Sequence, residues 1–219
     1  MPQHPTVAPL SILVVDDHAL VREAFTAMLR GEFPGALVNS AASCAEAMAA
    51  VRQQPYEVVL VDIELGDRSG MELTMELRTL QTPPAIVAVS MHQEETFVKR
   101  TLQLGACAYV TKDAPPQELF NAIREARSGR SYLSRQLAER IAQRQATDKG
   151  VSTALHNKLS NRELEVLIQL AKGKSLQQMA IDLSLSAKTV AVHKHNLSRK
   201  IGLHTTLEIF KYCKDHALV

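Results

Sequence analysis

Two short apolar runs, Ile12-Leu13-Val14-Val15 and Val58-Val59-Leu60-Val61, each lead straight into aspartate: Asp16-Asp17 after the first, Asp62 after the second. A continuous apolar run without polar alternation predicts a strand buried on both faces, as in a parallel sheet. Parallel strands point their carboxyl ends the same way, so these carboxylates converge on the crevice where an open α/β sheet holds its ligand. Three acids in one crevice repel one another unless a hard divalent cation, typically Mg2+, holds them together. The pattern predicts metal-dependent phosphoryl chemistry.

From residue 11 to 130, short β-rich runs alternate with helical patterns. Strands are predicted at 11–15, 36–41, 57–61, 85–90 and 107–110. Between them, helical spacing marks Val21, Phe25, Met28 and Leu29, then Ala45, Met48, Ala49 and Arg52, then Met71, Met75 and Arg78, then Phe97, Thr101 and Leu104. A helix opens at Pro115-Pro116 and stops at Gly129. Five βα units with short connections predict an α/β doubly wound, parallel five-stranded sheet.

Arg130 to Asn157 is Arg-, Gln-, Ser- and Thr-rich and reads as a linker, helical through Gln136–Gln145 and mobile after Thr147. Beyond it the punctuation becomes regular. Ser160-x-x-Glu163, Ser175-x-x-Gln178 and Thr205-x-x-Glu208 are capping boxes, Gly173 and Gly202 sit at helix ends, and another helix begins near Ser186. A second, all-α four-helix domain is predicted.

Charge separates the two parts. From His156 onward ten Lys and Arg face five Asp and Glu, whereas the preceding residues carry fifteen against eighteen. A basic module joined to an acidic one predicts a polyanionic partner for the second. Cys44, Cys107 and Cys213 are widely spaced and fit no disulfide framework or zinc pattern, so reduced thiols in the cytosol are expected. No apolar run reaches membrane-spanning length, and Met1–Pro5 lacks a basic region followed by an apolar one, which predicts neither membrane insertion nor export.

Two more strand ends complete the phosphoryl chemistry. Ser90 follows Ile86–Val89 and Lys112 follows Ala108–Val110, so a hydroxyl can donate to one phosphoryl oxygen while an ammonium neutralises another. Taken alone, Asp16-Asp17 could cap a helix and Tyr109 could be a plain sheet residue; the agreement with Asp62, Ser90 and Lys112 argues for a site. His18 and His92 flank the crevice and read as solvent-facing or supporting groups, not ligands.

This constellation resembles the receiver domain of two-component response regulators over residues 10 to 130, with the flavodoxin-like fold. The resemblance implies Asp62 as phosphoacceptor and Mg2+ on Asp16, Asp17, Asp62 and the Glu64 backbone carbonyl. It further implies Ser90 as the hydroxyl that tracks the phosphoryl group, Lys112 as its lysine partner and Tyr109 as an aromatic switch. Two departures stand out: Gly66 where receivers usually carry proline, and Asp113 after Lys112 in place of proline.

In the basic part, Leu176, Met179, Ala180 and Leu183 form one apolar helix face, and Val190, His193, Leu197 and Ile201 form the next. Opposite the latter runs a stripe of Lys188, Val192, His195 and Arg199, cationic with one small apolar residue, which suits a DNA major groove. The segment from Leu159 to Leu203, with Arg162-Glu163, Gly173-Lys174-Ser175, Lys188-Thr189-Val190 and Lys200-Ile201-Gly202, resembles the LuxR-type helix-turn-helix. Together the parts resemble the NarL/FixJ type of response regulator. That resemblance puts base contacts on Ala191, Val192 and His195. Lys188, Thr189, Lys194, Arg199 and Lys200 complete the DNA-facing set, Lys194 and Lys200 serving phosphates; Ala191 stands where lysine is common.

The expected protein has a receiver at 10–130, a linker at 131–155 and a helix-turn-helix domain at 156–219. It is a cytoplasmic bacterial transcriptional regulator, not an enzyme, phosphorylated by a sensor histidine kinase and bound to promoter double-stranded DNA. Phosphorylation would separate the domains, free the recognition helix from the receiver and permit a homodimer through Thr205–His216. One rival is a phosphorylation-independent regulator or adaptor. The other is an Asp-nucleophile phosphatase, which would need a second aspartate two positions after Asp62, where Glu64 stands.

Overall fold

The computed structural model describes residues 9–66, 68–92, 94–139, 141, 154–183, 185–216 and 218–219. Six strands, β1 (Ser11–Val15), β2 (Leu37–Ala41), β3 (Val58–Asp62), β4 (Ala85–Ser90), β5 (Ala108–Thr111) and β6 (Tyr132–Leu133), form one sheet in the order β2-β1-β3-β4-β5-β6. Every neighbouring pair is parallel. The chain passes from β1 outward to β2 and returns on the other side of β1 to β3. The sheet therefore has its switch point beside the carboxyl ends of β1 and β3.

Both faces are covered, as the unbroken apolar strands demand. Ile12, Val14, Val58, Leu60, Val87 and Val89 pack with Leu29 of α1 (Ala19–Glu32) and Leu119 and Ile123 of α5 (Pro116–Arg127). The alternate residues Leu13, Val15, Val59, Val61, Ile86, Ala88 and Tyr109 pack with α2 (Cys44–Gln53), α3 (Gly70–Arg78) and α4 (Glu95–Gln103). Each fully buried aliphatic side chain contributes about 1.5 to 3 kcal/mol, so a slip of one residue in any strand would exchange the two cores and cannot be tolerated.

Among the described residues the sheet has six strands, not the five predicted. The addition is Tyr132–Leu133, too short to show alternation, which pairs with Ala108 and Tyr109 while the Tyr132 hydroxyl donates to Glu118 at 2.7 Å. Two predicted helix faces are also corrected. In α2 the buried residues are Cys44 and Ala47, with Ala45 and Ala49 exposed; in α3 they include Met71, Thr74 and Leu77, with Met75 exposed. Alanine and methionine carry little directional information on short helices, and the faces are set by contact with β1, β2 and β3. Residues 135–139 and 141 are helical, overlapping the linker helix predicted at Gln136–Gln145 and starting one residue before it; its remainder, the stretch after Thr147 and the Met1–Pro5 start lie outside the described residues.

The second part has the four predicted helices, α6 (Asn161–Ala171), α7 (Leu176–Asp182), α8 (Ala187–Ile201) and α9 (Thr206–Asp215), after a 3-10 turn at Leu155–Lys158. The capping boxes at Ser160/Glu163, Ser175/Gln178 and Thr205/Glu208 all form, each cap worth about 1 kcal/mol. Gly202, at φ 72°, ends α8 in the left-handed conformation. Every residue of α6 is buried, since α8 and α9 pack on it and the receiver approaches as well. Arg162 donates to the Leu65 carbonyl, Arg100 donates to the Leu159 carbonyl at 2.7 Å, and Lys172 pairs with Glu94 at 2.7 Å.

Candidate functional site

The crevice at the switch point gathers the predicted groups from four strand ends. Asp62 closes β3 and is buried; its Oδ1 accepts the Glu64 backbone N–H at 3.0 Å and its Oδ2 accepts Lys112 Nζ at 2.7 Å. Lys112, just beyond β5, also reaches Asp16 Oδ2 at 2.9 Å. Asp16 is itself fixed: its Oδ1 accepts the His18 N–H at 2.8 Å and its carbonyl accepts Arg22 at 2.6 Å. Asp17 lies with its Oδ1 2.9 Å from His18 Nδ1. Ser90, fully buried at the end of β4, accepts the His92 backbone N–H at 3.0 Å, and its carbonyl accepts the Lys112 N–H at 2.9 Å.

Electrostatics follow from this crowding. Burial pushes the Asp62 carboxyl up to about 6 against the pull of Lys112, with Asp16 adding to the rise. Burial would lower the Lys112 ammonium, but Asp62 and Asp16 outweigh it and hold the group above its ordinary value. The lysine therefore stays cationic beside a carboxylate whose charge is costly, the arrangement a phosphoryl acceptor needs. Ligand atoms of Asp16, Asp17, His18 and Asp62 lie within 4.8 Å of one another. Neither Asp16 Oδ2 nor Asp17 Oδ1, though each is near a cationic or imidazole nitrogen, receives an aligned hydrogen bond. Buried carboxylate oxygens left so are suited to a hard divalent cation.

The Glu64 and His92 side chains meet beside the crevice. The Glu64 side chain turns to His92, 3.2 Å away, and His92 is held on its other side by Glu94 at 3.2 Å. The His92 ring stacks on Phe97 at 4.0 Å and is buried, which agrees with the supporting and not the solvent-facing arm of the expectation. Burial would lower the imidazole, but the two glutamates outweigh it and raise it to about 9. Tyr109 is fully buried, its hydroxyl donating to the His92 carbonyl at 2.8 Å.

Gly70 escaped the sequence reading. A Cβ there would overlap the Asp62 carbonyl oxygen and sit 2.9 Å from Ile63 Cα, so only glycine lets α3 start against the end of β3. The Gly70 N–H donates to the Ile63 carbonyl at 2.9 Å. Its only signal is Ser-Gly-Met at a helix start, which is common elsewhere.

On α8 the predicted division into faces is observed. Val190, Leu197 and Ile201 are buried and His193 is half-buried, its imidazole lowered by burial. Lys188, Ala191, Val192, His195 and Arg199 are exposed on the opposite side. Thr189 and Lys194 are half-buried, and the Ser186 side chain caps the helix through the Thr189 N–H. Lys200 pairs with Glu163 at 2.6 Å. The expectation that the receiver covers this stripe is not met: the amino-terminal domain lies on α6, and the exposed stripe of α8 stays open to solvent.

Known proteins carry the same two parts. The family described as Response regulator receiver domain matches residues 12–124, and the family described as Bacterial regulatory proteins, luxR family, matches residues 157–213. The chain is 30% identical over 210 residues to the response regulator UvrY of Escherichia coli strain K12, covering 95% of each chain. It is 31% identical over 211 residues to the response regulator GacA of Pseudomonas aeruginosa, covering 96% of this chain and 98% of that one. A solved LuxR-family two-component response regulator from Aurantimonas sp. SI85-9A1 is 32% identical with a TM-score of 0.60, covering 64% of this chain and 99% of that chain.

Proposed function

From the premise that the chain belongs to the response regulators, with a receiver domain followed by a LuxR-type domain, we propose that Asp62 is its phosphoacceptor and α8 its DNA-reading helix. The protein is a phosphorylation-controlled, DNA-binding transcriptional regulator with a histidine kinase as partner. The proposed parts are a receiver at residues 10–130, a linker at 131–155 and a DNA-binding domain at 156–219, working in the cytoplasm; among the described residues no helix is long and apolar enough to cross a membrane.

The observation that carries the acceptor assignment is the two-sided hold on Asp62, by Lys112 on one oxygen and the Glu64 N–H on the other. A carboxylate so held presents its remaining lone pairs to an incoming phosphorus in one direction. Attack forms the O–P bond of an acyl phosphate as the donor's own bond to phosphorus breaks. Lys112 stays within reach of the transferred oxygens, and the Ser90 hydroxyl, at the end of β4, can turn to donate to another. A divalent cation, Mg2+ in our assignment, held by Asp16, Asp17, Asp62 and the Glu64 carbonyl, would neutralise charge on the transferring group. The Glu64 carboxylate is engaged by His92 and does not serve as the acid or base an Asp-nucleophile phosphatase requires. The acyl phosphate is therefore a signal, not a step in turnover of small phosphomonoesters.

For the DNA face, the carrying observation is that Lys188, Val192, His195 and Arg199 share an exposed stripe opposite the buried Val190, Leu197 and Ile201. A 15-residue helix reads only a short half-site, which favours a homodimer on paired half-sites. Leu207 and Phe210, exposed on α9 at i and i+3, suit that contact. Incubation with a small phosphodonor and Mg2+ should add one alkali-labile phosphate per chain by intact mass, and Asp62→Asn should abolish it. Full labelling of Asp62→Asn, or full-rate labelling with the metal chelated, would overturn the assignment.

A further inference from the structure

One nitrogen donor stands against the acidic cluster of the crevice. We propose that His18 is a side-chain ligand of the divalent ion held at Asp16, Asp17 and Asp62, and that this crevice therefore favours a first-row transition ion such as Mn2+ over Mg2+. The proposal rests on the metal-site reading of the three aspartates and adds to it a ligand and a selectivity.

The backbone fixes where His18 stands. It is the residue before α1, in extended conformation at φ −79° and ψ 107°, and its N–H donates to Asp16 Oδ1 at 2.8 Å. A polar residue at this position ordinarily spends its side chain on capping the helix, whereas the His18 side chain makes no cap hydrogen bond. Its ring lies against the acids instead, with Nδ1 2.9 Å from Asp17 Oδ1 and 3.5 Å from Asp16 Oδ1. The shorter contact is not an aligned hydrogen bond, and Asp17 Oδ1 is left without a partner. Asp16 Oδ2, on a side chain only 2% exposed, is left the same way. Two ligands at right angles on an ion, with bonds of about 2.1 Å, lie about 3 Å apart, and the separation of His18 Nδ1 from Asp17 Oδ1 matches that spacing. With Asp16 and Asp62, the ligand atoms of all four residues lie within 4.8 Å of one another.

The donor set decides the ion. Three carboxylates and a backbone carbonyl are hard donors, and they hold Mg2+ by charge. A neutral imidazole nitrogen adds little for Mg2+, which keeps to oxygen and water, but it is a good ligand for first-row transition ions. Within that series, a mostly oxygen set suits Mn2+ best. Mg2+ still binds through the oxygens, so what His18 contributes is the preference between ions. No step of phosphoryl transfer is assigned to it.

The test uses the full chain without phosphodonor, titrated with Mn2+ by electron paramagnetic resonance and with Mg2+ as competitor. His18→Ala should lower Mn2+ affinity about ten-fold and change Mg2+ affinity less than about two-fold. Pulsed resonance of the Mn2+-loaded chain should show coupling to a directly bound nitrogen that is lost in His18→Ala. The ring is 56% exposed and caps nothing, so the variant should keep its fold. An equal loss for both ions would overturn the proposal, since His18 would then only orient Asp17 from outside the coordination shell; so would unchanged Mn2+ affinity or the absence of nitrogen coupling. Asp17→Ala separates the two readings, because it should weaken both ions. If it does so while His18→Ala has no effect, His18 alone is struck; if it changes neither affinity, the aspartate site fails and His18 with it.

Discussion

The proposed phosphoryl crevice and the proposed reading face of α8 solve opposite problems. In the crevice, Asp16, Asp62 and Lys112 are almost wholly enclosed, each oriented by at least one hydrogen bond or ion pair; burial raises the Asp62 carboxyl, and the two aspartates raise the Lys112 ammonium against burial. On α8, Lys188, Val192, His195 and Arg199 are exposed, and what defines them is that the protein leaves them uncovered. A reactive site stores its specificity in contacts already made, so it should be intolerant of small displacement. A reading surface stores it in contacts yet to be made with a partner, so single changes there should be graded and leave the fold intact. Substitutions in the two regions should differ accordingly.

The largest effect is expected at Gly70, which supports the crevice without taking part in its chemistry. In Gly70→Ala the new methyl must displace either the Asp62 carbonyl or the start of α3, because all three atoms it meets are backbone. Overpacking of this kind costs about 3 kcal/mol, and the acceptor carboxylate moves with its strand. Chemical denaturation should show that loss, and acyl phosphate formation should slow by more than the folded fraction explains. A variant as stable and as readily phosphorylated as the wild type would show that the crevice is not held to the tolerance argued above.

Next comes Glu165, on the helix that joins the two regions. Burial raises its carboxyl to about 7 despite the Arg162 guanidinium 2.8 Å away. Its folded value lies above its ordinary 4.5, so the protonated form is the one the fold prefers. The stability it contributes is fully present below about 4.5 and is lost as pH rises through about 7, a difference of about 3 kcal/mol. Glu165→Gln should remove that component. Unfolding free energies of wild type and variant, compared from pH 4.5 to 8, should diverge in favour of the variant as pH rises. Parallel curves would place Glu165 in a more solvated setting.

How much of each region was legible in the sequence follows from the same contrast. Asp16, Asp17, Asp62, Ser90 and Lys112 could be found because each ends an apolar run, and strand ends in a parallel sheet must meet. The exposed stripe of α8 could be found because its buried counterpart, Val190, Leu197 and Ile201, repeats at helical spacing. Gly70 was missed because its role is defined by the backbone it approaches, which no local pattern records. The turn of Glu64 toward His92, and of the receiver toward α6 and not α8, were missed for a related reason. Both depend on how distant charged groups pair once the chain is folded, and alternative pairings look alike in one dimension. Tyr132–Leu133 joined the sheet because the β5 edge was open beside it, a property of β5 and not of the two residues.

The smallest effects are expected on α8, where they also separate two kinds of contact. Val192 and His195 sit centrally on the exposed stripe and are assigned to base edges, each good contact worth about 1 to 3 kcal/mol of discrimination. Lys200 lies off the centre and is partly engaged by Glu163 at 2.6 Å, so any phosphate it meets must compete with that carboxylate. Val192→Ala or His195→Ala should therefore lower affinity for a selected site and spare scrambled DNA. Lys200→Ala should weaken both alike, with the salt dependence of binding shallower by about one unit or less. Because Glu163 also closes the cap of α6 through the Ser160 N–H at 2.7 Å, the Lys200 variant should be checked for unchanged unfolding before its binding is interpreted. Binding measured over a salt series on both DNAs decides the matter. If the central substitutions depress the two affinities equally, Val192 and His195 do not read sequence, and the reading face of α8 must be reassigned.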